Sequence, residues 1–156
     1  MIRERVRTLL EDVAAGRASV EQALSRLDSP PAESLGFATI DHHRALRAGY
    51  PEVVFGEGKT ADQIVAICER LAARGDGFLL TRAGDAERAA VTTHFPGARA
   101  NALARTVCLP GSVERKVDVT KQVLIITAGT SDLPVAEEAA ETLGALGASR
   151  ARLTDV

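Results

Sequence analysis

Neither sign of charge is in marked excess in this chain: 19 Lys and Arg stand against 21 Asp and Glu, for a net charge of −2. That balance gives no electrostatic case for nucleic acid or for an anionic membrane as a partner. Long apolar runs are also missing, none approaching the roughly 20 residues a membrane span needs, and Met1-Ile2-Arg3-Glu4-Arg5 does not read as a signal peptide. Cysteine occurs twice, far apart. Cys68 falls on the apolar face of a predicted helix and Cys108 in a predicted strand, so both read as buried thiols. Tryptophan is absent and tyrosine occurs once, a scarcity that carries no functional signal. What remains is a chain of 156 residues, 46% hydrophobic, with no internal repeat or low-complexity tract. Its length suits one ordinary domain, or a small domain plus a fragment, and a cytoplasmic protein is expected.

The spacing of apolar residues divides the chain into four parts. Residues 1–32 read as a helical hairpin, with Ile2, Val6, Leu9, Leu10 and Val13 on one face and Gly16 ending the first helix. Ser19 and Gln22 then form a capping box ahead of Val20, Leu24 and Leu27. Residues 33–110 read as a small α/β domain. Strands are expected at 36–40, 52–55, 78–81 and 104–109, and a helix or helical turn at 41–50. A second capping box, Thr60 with Gln63, opens a helix carrying Ile64, Ile67, Cys68 and Leu71, and a helix capped by Asp85 runs to about His94. Residues 111–121 are charged and turn-forming, a linker. Residues 122–156 open a second α/β unit.

That second unit holds the most informative stretch, Val123 to Asp132 (VLIITAGTSD). Its apolar opening lacks polar alternation, which predicts a strand covered on both faces. Gly129 allows a tight turn, and Thr130, Ser131 and Asp132 place short polar side chains at the strand's C-terminal end. A helix follows, with Val135, Ala136, Ala139, Ala140, Leu143 and Leu146 as its stripe, Ser131 or Asp132 as its cap and Pro134 in its first turn. Gly144 and Gly147 close it, and 148–155 reads as a strand. In open parallel sheets ligands sit at this strand-to-helix edge, where free N–H groups face an anion. One β-α-β unit of about thirty residues cannot cover both faces of its sheet, so the domain is expected to continue beyond Val156.

Strand, Ala128-Gly129-Thr130-Ser131-Asp132 and helix together resemble the glycine-x-serine-aspartate turn of the PurE family, which carboxylates aminoimidazole ribonucleotide. The block from Asp41 to Thr60 (DHHRALRAGYPEVVFGEGKT) is the more discriminating match. It resembles the N-terminal domain of the LarB family, pyridinium-3,5-biscarboxylic acid mononucleotide synthases, in which such a domain is fused to a PurE-like one. The resemblance runs from Gly36 onward. It implies an α/β fold: a helical hairpin, a small α/β domain and the first β-α-β of a PurE-like parallel-sheet (flavodoxin-like) domain.

The resemblance also implies an activity, carboxylation of the pyridinium ring of nicotinic acid adenine dinucleotide by CO2 or bicarbonate, with hydrolysis that releases AMP, in the biosynthesis of the nickel-pincer nucleotide. An electron-poor pyridinium carbon reacts with CO2 only after a nucleophile adds elsewhere on the ring. The family uses a cysteine for this and a glutamate as base. Both are expected beyond this chain's last residue, and neither Cys68 nor Cys108 matches. No catalytic residue, cofactor or metal is therefore assigned to this chain, magnesium being left to the full-length enzyme. A homo-oligomer formed through the PurE-like domain is expected.

Gly129 and Thr130 N–H groups with the Ser131 hydroxyl are the candidate phosphate contacts, and Asp132 is the candidate acceptor for ribose hydroxyls. Arg44 and Arg47, one helical turn apart, are candidates to hold a phosphate or carboxylate, against a solvated face or an ion pair with Asp41 or Glu52. Lys59 lacks the spacing of a P-loop and reads as part of a structural turn. His42, His43 and His94 lack metal-ligand spacing. Two other functions stay open: a PurE-related carboxylase or mutase acting on an imidazole ribonucleotide, and a non-catalytic nucleotide-binding or assembly module.

Overall fold

The computed structural model describes residues 2–27, 32–41, 52–73, 75, 77–111 and 117–154. It is a mixed α/β protein that divides into two compact units, Met1–Tyr50 and Pro51–Val156.

In the first unit, α1 (Ile2–Ala14) and α2 (Val20–Leu27) form the expected hairpin, with Leu9 and Ala23 buried. The Ser19 capping box is made in full: Gln22 N–H donates to Ser19 Oγ at 3.1 Å, and Ser19 N–H to Gln22 Oε1 at 2.9 Å. The strand expected at 36–40 is instead a β-hairpin, β1 (Ala32–Ser34) against β2 (Thr39–Asp41). Gly36, at φ +83°, lies in the turn between them, and Leu35 N–H closes that turn on the Ala38 carbonyl at 2.8 Å. Asp41 is thus strand, while the helix expected after it lies outside the described residues.

The second unit holds two sheets. The first has the order β3-β4-β6-β5, from β3 (Glu52–Phe55), β4 (Phe78–Thr81), β5 (Arg99–Asn101) and β6 (Thr106–Leu109). β3 and β4 are parallel, and β6 is antiparallel to both β4 and β5. Helix α3 (Ala61–Ala72) makes the parallel crossover. Its Thr60 capping box is complete, and Ile64, Ile67, Cys68 and Leu71 form its buried stripe at the predicted spacing. Helix α4 (Asp85–His94) packs on α3. Asp85 does not cap it: Gly84 holds the cap position, and Asp85 pairs with Arg88 one turn on. All four residues of β4 are buried, and the Phe78 ring meets Phe95 edge-on at 5.2 Å between centroids. Gly77 is required where it stands. Its φ is +70°, and a Cβ would lie 2.4 Å from the Leu109 carbonyl oxygen.

The last strand of this sheet begins at Thr106 rather than 104, because 102–105 turn after the unpredicted β5. Arg105 takes φ +55° there and Arg82 φ +53° after β4, and Ala83 N–H bonds the Arg105 carbonyl at 3.0 Å, so the two turns brace each other.

The second sheet is the predicted β-α-β: β7 (Asp118–Thr127), α5 (Leu133–Ala145) and β8 (Ala148–Thr154), with β7 parallel to β8. β7 begins inside the stretch read as linker, and Gly144 lies within α5 rather than ending it. The expectation that 123–127 is covered on both faces does not hold among the described residues. Helix α5 covers one face with Ala136 and Ala140, while Leu124, Ile126 and Leu153 on the other are 53%, 57% and 46% exposed.

Candidate functional site

The Ala128–Asp132 turn sits where it was expected, at the C-terminal edge of the parallel pair and ahead of α5. Its form differs from a simple cap. Thr130–Asp132 make a single 3-10 turn, Asp132 N–H bonding the Gly129 carbonyl at 3.1 Å, and neither Ser131 nor Asp132 caps α5 through its side chain. Pro134 lies in the first turn of the helix, as its missing N–H permits. Thr130, Ser131 and Asp132 are all exposed. Gly129 is extended, at φ −149°, so backbone conformation does not demand glycine. A Cβ there would meet nothing nearer than Ser131 Oγ at 3.9 Å. Arg44 and Arg47 lie outside the described residues, as do His42 and His43.

Sequence reasoning missed a set of polar residues that ties α5 to the four-stranded sheet. Arg82 Nε lies 2.6 Å from Glu138 Oε2, and Arg99 pairs with Glu141 at 3.6 Å. Asn101 Nδ2 donates to both Glu137 and Glu141 at 3.1 Å. Glu137 is further bonded by Arg152 of β8. That guanidinium, aided by Asn101, holds the Glu137 carboxyl below its usual range. The lowered value stabilises the fold above the ordinary carboxylate pKa of 4.5, and the contribution is lost as pH falls through the folded value. One signal was available in the sequence, since Glu137 and Glu141 are spaced to share a helix face while Arg150, Arg152 and Thr154 alternate onto one strand face.

The remaining candidates are structural. Lys59 Nζ donates to the Phe55 carbonyl at 2.7 Å, closing its turn. His94 Nε2 lies 2.8 Å from Glu69 across the α3–α4 pair. Among the described residues no group of three or more His, Cys, Asp or Glu is placed to hold a metal ion, and no helix is long and apolar enough to cross a membrane.

Cys68 is buried, and burial pushes its thiol up to about 12, while burial also raises Cys108 less deeply in β6. Thiolate is the reactive form, so burial makes both weak nucleophiles at neutral pH, Cys68 the weaker. Iodoacetamide followed by peptide mapping should label Cys108 well before Cys68. Stability should fall as pH rises above 9, where the unfolded thiol ionises and the folded Cys68 does not. First labelling at Cys68 would contradict the placement of α3.

Residues 32–111, just over half the chain, match the family model described as LarB/PurE-like N-terminal domain. The uncharacterized protein MJ0165 of Methanocaldococcus jannaschii is similar, 34% identical over 122 residues, which is 75% of this chain and 47% of that protein. The chain therefore spans about half the length of this curated relative, and the similarity extends outside the family-matched block. With the block from β1 to β6 matched and the parallel β-α-β attached after it, the chain belongs to the LarB/PurE-like N-terminal domain family.

Proposed function

We propose that this chain is part of a LarB-type enzyme that carboxylates the pyridinium ring of nicotinic acid adenine dinucleotide and hydrolyses its phosphoanhydride, giving pyridinium-3,5-biscarboxylic acid mononucleotide and AMP for nickel-pincer nucleotide synthesis. The observation that carries this reading is the Gly129–Asp132 turn, exposed from Thr130 to Asp132, at the C-terminal edge of a parallel β-α-β, behind a LarB-family block. Gly129 and Thr130 offer N–H groups and Ser131 its hydroxyl to phosphate, and Asp132 offers an acceptor to ribose. Gly129, freed of any conformational duty, lets the ligand approach the backbone. The chain's share is to bind and orient the nucleotide, while the covalent step falls to a cysteine and a base outside it. Magnesium, where the full-length enzyme uses it, would bind with substrate phosphates. The full-length protein is proposed to be cytoplasmic and oligomeric.

The test is incubation of the full-length protein with labelled bicarbonate and the dinucleotide. Label in a pyridinium dicarboxylate together with AMP release is expected. Label entering aminoimidazole ribonucleotide instead would move the protein to the PurE-type reaction. Failure with both substrates would leave the binding-module reading.

A further inference from the structure

Helix α5 meets two sheets and presents a different surface to each. Its buried residues, Ala136 and Ala140, belong to the face that covers β7 and β8, whereas Glu137, Glu138 and Glu141 reach groups of the four-stranded sheet. That sheet is polar where the helix lies. Register sets Arg99, Cys108 and Leu79 side by side across β5, β6 and β4, with Asn101 and Thr106 paired two residues on, so all five share one face. Arg99 and Asn101 bond α5 from that face. The Thr106 hydroxyl is buried with no hydrogen-bond partner among the described residues, a group that water would satisfy if the helix moved off. Such a seam has the composition of an interface between mobile domains rather than of a core.

The backbone supplies a second observation. Arg82, which follows β4, takes φ +53°, a region that side-chain-bearing residues rarely adopt and glycine adopts freely. Arginine stands there nonetheless, and its Nε lies 2.9 Å from Glu138 Oε1 and 2.6 Å from Oε2. A strained residue is thus kept at the point where the sheet grips α5.

We propose that the seam between α5 and the four-stranded sheet is a polar clasp, latched by Arg82 on Glu138, which opens to let the β-α-β part from a sheet that stays folded. The apolar stripe of α5 stays with β7 and β8, so these three elements move together. The Gly129–Asp132 turn leads into α5, and Leu103 of the β5–β6 turn borders the same hollow as Thr127 and Leu133. Opening therefore draws the strand-to-helix edge away from Leu103, whatever ligand the turn takes.

The two cysteines report the two events separately. Cys108 lies on the seam face, while Cys68 is fully buried in the stripe of α3 and reacts only when the sheet's own core opens. Iodoacetamide labelling of the chain at one fixed pH, followed by peptide mapping, gives both rates, with glutathione as the free-thiol reference. Arg82→Gly relieves the backbone and removes the latch. It should speed Cys108 about five- to tenfold, the effect of one partly exposed, charge-assisted ion pair, and leave Cys68 no faster. Glu138→Gln should do the same. The charges acting on the Cys108 thiol are Arg99 and Glu141, so a change at Glu138 alters its rate through opening and not through its ionisation. Cys68 accelerating in step with Cys108 would overturn the proposal, since the seam would then part only with the core. So would an unchanged Cys108 rate in both variants, or a native Cys108 as reactive as glutathione.

Discussion

Phe78→Ala is expected to cost about 3–5 kcal/mol, the range for removing a fully buried aromatic side chain, read as a lowered urea midpoint at unchanged slope. Phe78 is completely buried and its ring meets Phe95 edge-on. On the strand it pairs with Leu109 across β6 and with Glu52 across β3, so it stands at the middle of the sheet. Domains of this kind have about 5–15 kcal/mol of stability in all, so the loss would remove a large part of it. The consequence reaches the candidate site, because α5 is tied to this sheet through Arg82, Arg99 and Asn101. Phe78→Leu refills much of the space and should cost less than half as much. A loss under about 1 kcal/mol for Phe78→Ala would mean that β4 is not the core strand described.

Local signals were legible in the sequence. Thr60 with Gln63 and Ser19 with Gln22 each announce a helix start within four residues, and both boxes are made as read. The α3 stripe and the strands at 52–55 and 78–81 follow from apolar spacing alone. β5 was not legible, because Arg99-Ala100-Asn101 has no strand pattern and is held in place by pairing with β6. The run 123–127 was read as covered on both faces. Sequence pattern reports what a strand's faces require, whereas Leu124 and Ile126 remain open among the residues described. The contacts that complete the candidate site were beyond sequence reading for a similar reason. Asn101 reaches Glu137 and Glu141 across separations of 36 and 40 residues, set by how α5 docks rather than by any periodicity.

The Gly129–Asp132 turn was legible as a candidate because strand, short polar turn and helix follow one another in the chain. Asp132 is exposed and makes no side-chain bond to the helix it precedes, so its carboxylate is available to a ribose. Losing a charge-assisted hydrogen bond of that kind costs about 1.5–3 kcal/mol, roughly a 10- to 150-fold loss of affinity. Calorimetric titration of this chain with nicotinic acid adenine dinucleotide, repeated with Asp132→Ala, therefore tests the central claim most directly. The account predicts saturable binding by the native chain and a loss of that size in the variant. Equal binding by the two, or no binding by a chain shown to be folded, would contradict a nucleotide site at this turn.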